Sequence, residues 1–132
     1  MNMQLLKPHV MNHLMEHYMW CDRHGELHSV EEMETRHLFH IVRMIWDHSV
    51  PKEHQTDFKK RYTFSEFYSK EYLALSVRLM LPVLLLRKDL EPYMIYWINF
   101  IRDKVTAEAR QVPFIRMIDY AVATENSDSK TE

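Results

Sequence analysis

Residues 69–104 read SKEYLALSVRLMLPVLLLRKDLEPYMIYWINFIRDK, and this stretch decides the fold. Its most apolar part, Tyr72 to Leu86, is fifteen residues long and carries Ser76, Arg78 and Pro82. A membrane-spanning helix needs roughly 20 apolar residues, so the stretch reads as a buried core helix. Two starts are open for it: Thr63 with Glu66 as a capping box, or Ser69. It is predicted to run to about Lys88, kinked where Pro82 removes the hydrogen bond to the carbonyl of Arg78. Asp89 is predicted to cap the next helix, with Pro92 tolerated in its first turn. Leu90, Met94, Trp97, Ile98 and Ile101 share one face of that helix. Tyr93, Tyr96 and Phe100 extend the apolar surface, leaving Glu91, Asn99 and Asp103 for water. A helix this apolar is expected at the centre of the molecule, and the two helices form a hairpin joined near Lys88 and Asp89.

The flanks continue the helical pattern. Upstream, Leu38, Ile41, Val42 and Ile45 give a buried stripe at helical spacing. Ser29 with Glu32 makes a capping box for that helix and Thr35 is a rival cap. Pro51 excludes helix at Val50, so the helix ends near His48. Asp22-Arg23-His24-Gly25 reads as a tight turn between short strands, within residues 18–30. Val10, Leu14 and Tyr18 place a first helix at residues 8–19. Downstream, Pro113 breaks the chain and residues 114–123 read as a short last helix. Glu125 to Glu132 contains no apolar residue and reads as a disordered acidic tail. The expectation is a mainly α fold of about five helices around one core, with a short β-hairpin near residues 18–30. Residues 1–123 form the single domain and 124–132 the tail.

Composition narrows the function classes. The chain has 132 residues, 46% of them hydrophobic, with one Gly and one Cys. So little Gly argues against collagen, flexible linkers and a turn-dense β-sandwich. A lone Cys21 cannot form an internal disulfide, which favours a reducing compartment. The formal net charge of −2 does not make a nucleic-acid binder the default. Charge is nevertheless segregated: residues 1–50 carry −3 and eight of the nine His, residues 51–124 carry +3, and the tail carries −2. The N-terminus shows no apolar signal-peptide core.

Three constellations could carry chemistry. His9, His13 and His17 fall one turn apart on the first helix, and His13, His17, Cys21 and His24 have zinc-like spacing. A closed structural zinc site ordinarily uses at least two Cys, so no metal or cofactor is expected and the His face reads as solvated. Cys21 beside His24 gives thin support for nucleophilic catalysis, and no phosphate loop or nucleophile elbow is present. The chain therefore reads as no enzyme. The third constellation is basic and aromatic: Lys59, Lys60 and Arg61 adjoin Tyr62, Phe64 and Phe67. Cations beside rigid rings suit a protein interface, and also single-stranded nucleic acid. The opposing reading places the rings in the core and leaves the cations to keep a loop soluble.

Residues 19–46 resemble small uncharacterised bacteriophage proteins through Trp20, Gly25, Met33, His37, Leu38, Arg43 and Met44. The resemblance carries no activity. It implies a phage or prophage origin, expression in the cytoplasm of a bacterial host, and action by binding a host protein, defence systems included. The combined expectation is a non-enzymatic protein-binding module with a host or phage protein as partner, of the kind that inhibits a host or defence complex. Its proposed contacts are Lys59, Lys60, Arg61, Tyr62, Phe64 and Phe67. A nucleic-acid-binding accessory protein is the alternative, and a metal-dependent protein using the N-terminal His cluster is the second.

Overall fold

The computed structural model describes residues 18–57, 64, 68–108 and 111–118. Strands β1 (Trp20–Cys21) and β2 (Leu27–His28) pair antiparallel, with Trp20 opposite His28 and Cys21 opposite Leu27. Three helices follow: α1 (Thr35–Ser49), α2 (Lys70–Leu85) and α3 (Pro92–Asp103). Residues 113–118 form a short fourth, α4. The fold is thus mainly helical with one small sheet, and four helices stand among the described residues against about five expected. Of the first expected helix, at 8–19, residues 8–17 lie outside the described residues and Tyr18 and Met19 are not helical; the tail at 124–132 also lies outside the described residues.

The hairpin follows from its turn chemistry. Asp22 Oδ1 accepts the backbone N–H of His24 at 2.8 Å and of Glu26 at 2.9 Å. The Gly25 N–H donates to the Asp22 carbonyl at 3.0 Å, and Gly25 takes φ 83°, a left-handed conformation open to it without a Cβ penalty. So short a ribbon needs support, and aromatic rings supply it. Trp20 stacks on Tyr68 at 5.5 Å and on Tyr72 at 5.9 Å.

Helix α1 begins later than the capping box implied. Residues Val30–Glu32 make only a 3-10 turn, Met33 is extended, and neither Ser29 nor Glu34 provides a side-chain cap. The reason lies far along the chain. The Arg87 guanidinium donates to the carbonyls of Val30 (3.2 Å), Glu31 (3.3 Å) and Met33 (2.8 Å), which diverts acceptors that a helix would use. Asp89, expected to cap α3, instead accepts the Thr35 hydroxyl at 2.6 Å. Glu91 is the N-cap of α3 and Pro92 its first residue, where a missing N–H costs nothing.

The far end of α1 is closed by residues 54–56. Trp46 Nε1 donates to the His54 carbonyl at 2.7 Å. The buried Asp47 carboxylate accepts both the N–H and the hydroxyl of Thr56. Gln55 Nε2 reaches the carbonyls of Asp47 and Val50. Helix α2 starts at Ser69, whose hydroxyl accepts the Tyr72 N–H at 3.0 Å. Pro82 lies inside α2 at an exposed position, where its missing N–H removes one helical hydrogen bond.

Helix α2, not α3, is central. It packs against both α1 and α3, and Tyr72, Val77, Met80 and Leu84 are fully buried. In α3 only Met94, Ile98 and Ile101 are buried. Phe114, Ile115 and Ile118 of α4 join the same core as Leu38, Phe39, Ile45 and Trp46 of α1. Among the described residues no helix is long and apolar enough to cross a membrane.

Candidate docking surface

Helix α3 is apolar on two sides. Met94, Ile98 and Ile101, spaced by four and three residues, face the core. Tyr93, Tyr96, Trp97 and Phe100 repeat the same spacing on the other flank, a second stripe on one helix. Along and beside it Tyr93 is 39%, Ile95 44% and Tyr96 63% exposed, while Trp97 and Phe100 are half-buried. The rings lean on one another: Tyr96 meets Trp97 edge-on at 4.8 Å, and Trp97 meets Phe100 at 5.2 Å. Lys104 Nζ stands over the Phe100 ring at 5.3 Å. Rings braced by rings present area without a large rotamer cost on contact, the property of good interface anchors.

Beside Ile95 the surface falls into a groove of about 380 Å³ between the end of α2 and α3. Leu85, Leu90, Ile95 and Ile98 form its apolar part, and Arg87, Lys88, Asn99 and Arg102 its polar part. Among the described residues no acidic side chain lines it. The guanidinium of Arg87 is held by its carbonyl contacts, so it contributes fixed positive charge. Lys88 is exposed and makes no ion pair among the described residues. Arg102 meets Asp103 at 3.6 Å, a loose pair between exposed side chains that competes weakly with a partner. Leu86, 83% exposed, extends the apolar rim at the α2 terminus.

Of the residues expected to bind a partner, Phe64 alone is among the described residues. Lys59, Lys60, Arg61, Tyr62 and Phe67 lie outside the described residues. Phe64 packs half-buried against the core, edge-on to Trp20 (6.5 Å), His48 (5.2 Å) and Tyr68 (5.3 Å). Of the His set, His9, His13 and His17 also lie outside. Cys21 is buried, and burial, helped by Asp22, pushes its thiol pKa up. That is the direction opposite to an activated nucleophile.

One group of donors near the turn is spaced for a cation. Asp22, Glu26 and His28 bring ligand atoms within 4.8 Å of one another. Asp22 already serves the turn through Oδ1, and its Oδ2 lies 2.8 Å from His28 Nε2. Burial raises the Asp22 carboxyl, but the bonds from His28 and from the Glu26 and His24 N–H groups outweigh it and hold the pKa below the ordinary value. Asp22 and His28 are thus already engaged in fastening the hairpin.

Sequence reasoning assigned Tyr93, Tyr96 and Phe100 to apolar surface but placed their helix in the centre of the core. The signal that separates the two flanks was present: Tyr recurs on the outer one, and a phenol with a wet end suits a boundary. No family model matches the chain, and no curated protein or solved structure matches it.

Proposed function

We propose that the chain is a non-enzymatic protein-binding module that docks its partner on the outward flank of α3. The observation that supports this reading is the second apolar stripe, Tyr93, Tyr96, Trp97 and Phe100, on a helix whose first stripe already fills the core. Single exposed apolar side chains are ordinary, whereas a contiguous aromatic stripe is the pattern of a contact site. The resemblance of residues 19–46 supports a narrower role: a phage-encoded inhibitor of a bacterial host or defence complex, acting in the host cytoplasm. Lys59, Lys60 and Arg61, with Tyr62 and Phe67, are proposed as a second, steering contact.

Site-specific photo-crosslinking tests the docking face. A benzoylphenylalanine placed at Tyr96 should give one discrete adduct in bacteria producing the protein in its natural context. The same group at Glu53, exposed on the turn Lys52–His54, should give none. Equal adducts from both positions, or none from Tyr96, would show that α3 is not the docking face.

A further inference from the structure

We infer that the partner presents an acidic segment, one that sets an apolar side chain into the α2–α3 groove and a carboxylate between Lys88 and Arg102. This rests on the docking face proposed above and adds the chemistry of what it binds. The groove volume of about 380 Å³ suits one or two side chains rather than a folded ligand or a duplex. Its wall of Leu85, Leu90, Ile95 and Ile98 rewards an apolar group, which a phosphate backbone does not offer.

Charge settles the sign of the partner. Among the described residues three cations line the groove and no acid does. The Arg87 guanidinium is fixed by four donated hydrogen bonds and cannot swing away to relieve repulsion from a second positive group. Among the described residues Lys88 makes no ion pair, and the ion pair of Arg102 is with the exposed Asp103. A basic segment would therefore meet uncompensated like charge, while a carboxylate would gain a charge-assisted bond from Lys88 or Arg102. Tyr96, 63% exposed on the outward ridge of α3, does not line the groove, and a segment seated in the groove meets it by continuing over that ridge.

The probes are two fluorescein-labelled peptides of about 14 residues, one alternating Leu pairs with Glu and Asp, the other with every acid replaced by Lys. Fluorescence anisotropy should show the acidic peptide binding at least ~10-fold tighter at low salt. The preference should shrink to about twofold near 1 M salt, where screening acts within about 3 Å. Lys88→Glu/Arg102→Glu should reverse the preference, with the circular dichroism spectrum unchanged. Tyr96→Ala should weaken the acidic peptide without changing the salt dependence. Equal binding of both peptides, weakened alike by Tyr96→Ala, would overturn the acidic partner while leaving the docking face standing. Binding indifferent to Tyr96→Ala and to the charge reversal would overturn both. No binding by either peptide up to about 1 mM would overturn the inference, as would wild-type dimers in sedimentation that the charge reversal dissolves, since the occupant would then be a second copy.

Discussion

Tyr72 shows how much one hydroxyl can organise. Its ring lies between α2 and the hairpin, stacked on Trp20, and its Oη accepts the Cys21 N–H at 2.8 Å while donating to the Met19 carbonyl at 2.5 Å. Tyr18 donates to Ser76 Oγ at 2.7 Å, and Ser76 donates to the Tyr72 carbonyl at 2.7 Å. Burial pushes the hydroxyls of Tyr18, Tyr68 and Tyr72 up in pKa, so all three stay protonated donors. Tyr72→Phe keeps the ring but strands a buried N–H and carbonyl. The expected cost is about 1–3 kcal/mol by denaturant unfolding. A loss under about 0.5 kcal/mol would mean that water or a shifted backbone replaces the hydroxyl. The bonds that join residues 18–21 to α2 cannot be read from residue spacing, because their partners lie 51 to 58 positions apart. The Asp22 turn could be read, because all its partners lie within six residues.

At the scale of elements, the boundaries that were legible are those fixed by neighbours in sequence. Ser69 caps α2 and Pro51 closes α1, both local effects of the kind a sequence displays. The start of α1 was not legible, since Arg87 takes the carbonyls of Val30, Glu31 and Met33 from more than 50 residues away. Arg87→Met keeps the stem and removes the donors. It is expected to cost about 1–3 kcal/mol, because partly buried carbonyls lose charge-assisted bonds. It should also speed amide exchange over residues 30–35 while leaving α2 protected. The position of α3 was misjudged for a related reason: periodicity finds apolar stripes but does not say which stripe meets the core. Trp97 is the test residue. Full burial would make Trp97→Ala cost about 3–5 kcal/mol. Half-buried at the edge of the outward stripe, it is expected to cost about 2 kcal/mol. A loss above about 4 kcal/mol would put Trp97 in the core and remove it from the proposed surface.

The described residues join a hairpin and four helical segments around one core, and His40 and Asp22 are titratable groups at its margin. Burial lowers the pKa of His40, helped by the nearby charges of Arg43, Arg36 and His37, and Arg43 Nη2 lies 3.4 Å from His40 Nδ1. A histidine whose folded pKa is depressed favours folding when neutral. That contribution is complete above the unfolded value of about 6.5 and is lost as pH falls through the folded value. Asp22, depressed as a carboxylate, contributes above about 3.9 and loses its share only as pH falls further. The melting temperature should therefore be level between about pH 7 and 8, fall as pH drops below about 6.5, and fall again below about pH 4. His40→Gln should flatten the first step, and an unchanged first step would assign it to another histidine. The central claim is that the outward flank of α3 is kept for binding and not for folding, which sequence pattern alone could not separate. Denaturant unfolding of Ile95→Ser/Tyr96→Ser against Ile98→Ala tests it most directly. The expected result is a double variant within about 1 kcal/mol of wild type, as for surface changes, beside an Ile98→Ala loss of about 2–5 kcal/mol. A double-variant loss of 3 kcal/mol or more would contradict the claim, because Ile95 and Tyr96 would then be part of the fold.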